Sequence, residues 1–99
     1  MSQDITAKEL KDRINAGEQL LILDVREPSE FQESNINGKL IPLGTLPNRI
    51  GEIEDWKGKE VIVHCRSGKR SANAQSFLEM QGFENVRNLE GGILAYNAL

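Results

Sequence analysis

The chain has 99 residues, 38% of them apolar, 27% charged and 5% aromatic, with a formal charge of −3 and one cysteine. A chain of this length buries one contiguous core, so residues 1–99 are expected to form a single domain. One thiol excludes a disulfide scaffold and suits a reducing, cytoplasmic setting; the acidic balance argues against a nucleic-acid binder, and no apolar run approaches the roughly 20 residues that cross a bilayer. Met1-Ser2-Gln3-Asp4 carries neither a basic nor an apolar export region and no lipidation pattern.

Along the chain, Thr6-Ala7-Lys8-Glu9 reads as a capping box: the Thr6 hydroxyl accepts from the amide of residue 9 and Glu9 returns the bond. Leu10, Arg13 and Ile14 continue at helical spacing, and Asn15-Ala16-Gly17 stops the helix. Residues 20–25 form an apolar run without alternation, the mark of a strand buried on both faces, closing in Asp24-Val25-Arg26. Pro28 and its acidic neighbours begin a short helix that ends near Ser34-Asn35. Residues 40–43 are extended, with Pro42 suiting an edge or a strand end. Leu46, Ile50, Ile53 and Trp56 recur at helical spacing and predict a helix interrupted at Gly51. After a turn at residues 57–59, the β-branched run 60–65 is the second strong strand. A polar loop over residues 66–71 leads into a helix through Ala74, Phe77 and Leu78 that stops at Gly82. A short strand at 86–89, a Gly91-Gly92 turn and a last helix from Ile93 complete the order. Strands alternating with helices imply an α/β fold with a mainly parallel central sheet, about five short strands, and helices on both faces.

The stretch Cys65-Arg66-Ser67-Gly68-Lys69-Arg70-Ser71 carries the chemistry. A thiol stands where a buried strand ends, three cations follow within five residues, and a glycine precedes a helix start. Consecutive amides in such a loop converge on an anion, and the same field favours a thiolate over a thiol. The carboxyl end of a parallel strand is also where open α/β sheets bind ligands.

These residues resemble the active-site loop of a single-domain rhodanese, a thiosulfate:cyanide sulfurtransferase-like protein. Asp24-Val25-Arg26-Glu27-Pro28-Ser29-Glu30-Phe31 is similar to that family's first signature, Ile36-Asn37-Gly38 with Ile41-Pro42 to its central one, and Gly91-Gly92-Ile93-Leu94-Ala95-Tyr96 to its carboxyl-terminal one. The resemblance implies a transferase in which Cys65 accepts sulfane sulfur as a persulfide and passes it to a thiol or cyanide, with thiosulfate or a protein as donor and no cofactor beyond that persulfide. The matched loop, Arg66, Ser67, Gly68, Lys69 and Arg70, would hold the donor anion. Asp24, Arg26 and Ser71 would stand behind it. A persulfide carrier acting only with a partner protein is the alternative. The six residues from Cys65 to Arg70 match the loop length that goes with sulfur, whereas a cysteine phosphatase needs Cys-x5-Arg, and Ser71 occupies that position. Asn35, Lys39 and Tyr96 stand where the family commonly has histidine, a small residue and tryptophan.

The remaining candidates read as structure. Strand alternation turns His64 away from Cys65, as a packed or hydrogen-bonded sheet histidine. One Cys and one His fall short of zinc's four ligands, so no metal is expected. Asp24 and Arg26 suit an ion-pair network holding the neighbouring loop, with Arg26 and Glu30 as one further pair. Glu52, Glu54 and Asp55 suit a solvated helix face, and Trp56 the rim of the core.

Overall fold

The Thr6 hydroxyl accepts from the Glu9 amide at 3.1 Å and starts α1 (Ala7–Asn15), which buries Ala7 and Leu10. Glu9 does not return the bond; its carboxylate reaches Arg87 on a neighbouring strand at 3.3 Å. In the computed structural model, which describes residues 4–99, β1 (Leu21–Asp24) follows, then α2 (Pro28–Glu33) with Pro28 in its first turn. Met1 to Gln3, where the export-free start was read, lie outside the described residues.

After β2 (Lys39–Leu40), a 3-10 turn at Leu43–Thr45 leads into α3 (Leu46–Arg49) and a second 3-10 stretch, Ile50–Trp56. The helix expected over residues 46–56 is therefore broken, and its irregular residue is Ile53 (φ −121°, ψ 23°), not Gly51. Ile53 is fully buried, so core packing outweighs regular hydrogen bonding there. β3 (Glu60–His64), α4 (Lys69–Met80), β4 (Asn85–Asn88) and α5 (Gly92–Asn97) complete the chain.

The sheet has the order β2-β1-β3-β4 with every neighbouring pair parallel. It contains four strands, not the expected five. Among the described residues the sheet continues beyond β4 only as a parallel bridge between Ile5 and Leu89, with α1 beginning two residues after Ile5. Leu23, Val25, Val61, Val63, Cys65 and Val86 line one face and pack with Leu46, Ile53, Ala74 and Leu78, with Trp56 at the margin. Ile22 and Ile62 line the other and pack with Ile5, Ala7, Leu10 and Leu89, with Tyr96 at the margin. Helices thus cover both faces, which explains the unalternating apolar runs of β1 and β3. Glu52, Glu54 and Asp55 are exposed, with Glu52 between Arg49 at 2.7 Å and Lys39 at 3.2 Å. No helix among the described residues is long and apolar enough to cross a membrane.

Candidate active site

The chain leaves β1 for β2 on one side, while β3 lies on the other. The carboxyl ends of β1 and β3 therefore mark the crevice where connections diverge, and Asp24-Val25-Arg26 and Cys65 emerge there. The loop that follows is shorter than expected. α4 starts at Lys69, so Lys69, Arg70 and Ser71 form its first turn and only residues 65–68 are irregular. Gly68 precedes the helix at φ +108°, a conformation that L side chains rarely adopt, and it reverses the chain over the thiol.

The reversal brings three donors to one sulfur. The Gly68 amide donates to Cys65 Sγ at 3.1 Å, the Ser71 amide at 3.3 Å and the Ser71 hydroxyl lies at 3.2 Å. Burial pushes the thiol up, but the Ser71 hydroxyl and the amides of Ser71, Gly68 and Ser67 outweigh it and hold Cys65 below its ordinary value. The thiolate is therefore favoured by hydrogen bonds, the Ser71 hydroxyl adding to the backbone amides. Arg70 makes a bidentate pair with Glu30 of α2, at 2.7 and 2.8 Å, and that guanidinium draws the Glu30 carboxyl down to about 2. Arg66 and Lys69 are exposed and free of ion pairs among the described residues. Lys69 and Arg70 line a cleft of about 730 Å³ with Ser67, Gly68 and Asn88, whereas Arg66 lines a second of about 350 Å³ with Arg26, Glu30 and Leu94.

The loop rests on α5. The amide of Ile93 donates to the Cys65 carbonyl at 2.9 Å and that of Leu94 to the Arg66 carbonyl at 3.1 Å. Gly92 lies so close beneath that a Cβ there would stand 2.3 Å from the Arg66 oxygen. What reads in the sequence as a turn is a floor for the loop.

Asp24 and Arg26 do not touch the sulfur. They form a buried pair at 2.8 Å, and Arg26 also donates to the carbonyls of Ser34 at 2.7 Å and Glu30 at 3.3 Å. The proposed Arg26–Glu30 pair is thus a contact with the Glu30 backbone, since its carboxylate belongs to Arg70. His64 is fully buried on the face opposite Cys65; Asp24 Oδ2 stands 3.6 Å from its Nε2, and neither ring nitrogen has a hydrogen-bond partner among the described residues. It is packed, not hydrogen-bonded. Ser71 reaches the sulfur itself instead of standing behind it. Sequence reasoning passed over Asn88, Glu30 as the partner of Arg70, and Gly92 as the floor. Only Gly92 carried a signal, in the paired glycines.

The family profile described as Rhodanese-like domain matches residues 6–99. The chain belongs to the rhodanese-like domain family. This rhodanese-like chain is similar to a sulfurtransferase of Allochromatium vinosum, 37% identical over 97 residues that cover 97% of this chain and 89% of that protein. It is 39% identical to the putative sulfurtransferase YtwF of Bacillus subtilis over 95 residues, covering 95% of this chain and 89% of the other. The crystal structure of a rhodanese-like domain protein from Staphylococcus aureus matches it with a TM-score of 0.85 at 33% identity, over 95% of this chain and 90% of that one. Together these rhodanese-like relatives support sulfur transfer as the general activity.

Proposed function

We propose that residues 1–99 act as one rhodanese-like domain, working in the cytoplasm, that moves sulfane sulfur from thiosulfate or a persulfide donor to a thiol or cyanide through a persulfide on Cys65. The observation that carries this reading is the sulfur of Cys65 held by the Gly68 amide and by the amide and hydroxyl of Ser71. The Cys65 thiolate attacks the outer sulfur of thiosulfate, a new S–S bond forms, and the old one breaks with its electron pair leaving on sulfite. Cyanide then attacks the outer sulfur of the persulfide; thiocyanate departs and the thiolate returns. Each half-reaction conserves charge and needs no further redox partner.

Ser67 and Gly68 supply backbone donors at the loop, and Arg66 and Lys69, free of ion pairs among the described residues, attract the anionic donor and stabilise charge as sulfite leaves. Arg70 contributes its field from a fixed position, because Glu30 holds both ends of its guanidinium. Asp24 and Arg26 hold the adjoining β1 loop, through Arg26 to Ser34. Intact mass before and after thiosulfate, with Cys65→Ser alongside and cyanide added last, tests the reading. A gain of about 32 Da that requires Cys65 and is discharged by cyanide is expected. A gain only from a persulfidated protein donor selects the carrier role, and no gain from either donor overturns both.

A further inference from the structure

Asn88 closes β4, opposite Val63 in register, and its side chain is buried beneath the cysteine loop. Its amide makes two contacts there. Nδ2 donates to the Gly68 carbonyl at 3.1 Å, and Oδ1 lies 2.6 Å from the Ser71 hydroxyl, whose single proton serves either Oδ1 or Cys65 Sγ. Gly68 and Ser71 are the same two residues that turn their amides, and in one case a hydroxyl, on Cys65 Sγ. We propose that Asn88 is a positioning residue for the thiolate, a single planar amide that sets the Gly68 peptide and the Ser71 side chain in the arrangement that receives the Cys65 sulfur.

The argument is one of orientation. The Gly68 carbonyl lies in the peptide plane after Gly68 and its amide in the plane before it, so a hold on the carbonyl restrains the Gly68 turn from one side while the amide faces the sulfur from the other. Gly68 sits at φ +108° with no side chain to anchor it, and Asn88 supplies a side-chain hold. The Ala72 amide also donates to the Gly68 carbonyl, at 3.0 Å, but that bond belongs to the helix turn and leaves the tilt of the peptide to Asn88. Ser71 is restrained in the same way, because its hydroxyl lies between the sulfur and Asn88 Oδ1. Asn88 is itself anchored on the sheet: the Ile5 amide donates to its carbonyl at 3.0 Å and its own amide donates to Asp4 Oδ1 at 3.3 Å.

The charged groups near the sulfur lie elsewhere. Arg70 faces it from α4 with Glu30 of α2 on its guanidinium, Arg66 and Lys69 stand on the loop and the first turn, and Glu90 lines the same cleft as Asn88. None of them hydrogen-bonds the Asn88 side-chain amide among the described residues, so a neutral change there reaches Cys65 through Gly68 and Ser71.

The proposal rests on the reading of Cys65 as the sulfur acceptor for its effect on turnover, but its test reads the thiol directly. Thiol ionisation is followed by pH-dependent alkylation of the intact protein in wild type, Asn88→Ala, Ser71→Ala and the double variant. Asn88→Ala is expected to move the midpoint up by about one pH unit, a tenfold loss of thiolate at a fixed lower pH. The effect differs in size in the Ser71→Ala background, because Asn88 Oδ1 and Cys65 Sγ share that hydroxyl's one proton. Asn88→Leu, similar in shape and uncharged but unable to donate to Gly68 or accept from Ser71, keeps the test open should the alanine variant fail to fold; it is also expected to raise the midpoint. An unchanged or lowered midpoint in folded Asn88 variants, or strictly additive shifts in the double variant, overturns the positioning role. That outcome leaves persulfide formation on Cys65 untouched, whereas failure of wild type to gain sulfur with these shifts intact counts against the transfer reading alone.

Discussion

Cys65 carries the proposed chemistry by location and by hydrogen bonding, and the two separate in experiment. Cys65→Ser is expected to abolish sulfur transfer while leaving the melting temperature within a few degrees of wild type, because the exchange is nearly isosteric; turnover and a thermal melt check both. The thiol itself should be alkylated with a midpoint below about 8.5, the ordinary cysteine value, and Ser71→Ala should raise that midpoint by removing the strongest hydrogen bond that favours the thiolate. The sign for stability follows from the same depression. The unfolded chain holds the proton to higher pH than the folded one, so the thiolate's contribution is complete above the unfolded value and is lost as pH falls through the folded midpoint. Stability of wild type relative to Cys65→Ala should therefore rise with pH across that window, as urea titrations can measure. Cys65 and Gly68 were legible because a thiol, a glycine and a helix start are adjacent in sequence. Asn88 and Glu30 were not, since they meet the loop from 20 and 40 residues away and no spacing rule links them to it.

Between elements, two contacts hold the loop from opposite sides. Glu30 joins α2 to the first turn of α4 through Arg70, and Glu30→Gln should lower stability by about 1 kcal/mol or less at neutral pH, the range of a partly exposed pair. Because the Glu30 carboxyl lies well below its ordinary value, that contribution is present above about 4.3 and is lost as pH falls toward 2; paired denaturant curves for wild type and variant should converge in that window. On the other side, Gly92→Ala drives a methyl into the Cys65–Arg66 backbone at a residue with φ +62°. It should destabilise the fold by at least about 2 kcal/mol and slow alkylation of Cys65 together, read by a melt and a thiol assay. At this scale the strong strands were plain, because β1 and β3 are apolar on both faces. The stretch over residues 46–56 was not, because its apolar spacing fits a helix while the buried Ile53 takes a non-helical backbone.

Across the whole molecule, the parallel order of the sheet follows from alternating strands and helices, while the strand number does not, because a single bridge at Ile5 and a paired strand look alike in sequence. The fold also encloses His64, whose ring nitrogens have no hydrogen-bond partner among the described residues. Burial pushes His64 down and nearby Arg26 adds to this, against the opposing pull of Asp24. Unfolded, the imidazole takes a proton near its ordinary value of about 6.5; folded, it resists, so stability falls as pH drops through that value. His64→Phe should flatten the stability curve below about pH 6.5, and a wild-type curve already flat there would remove His64 from the acid response.

The floor beneath the cysteine loop also has a consequence in time. A ribosome delivers Cys65 well before Ile93 and Leu94, so on the nascent chain the carbonyls of Cys65 and Arg66 still lack the amides that hold them in the finished protein. During that interval the loop lacks its floor, and the arrangement that favours the thiolate is complete only once α5 has been made.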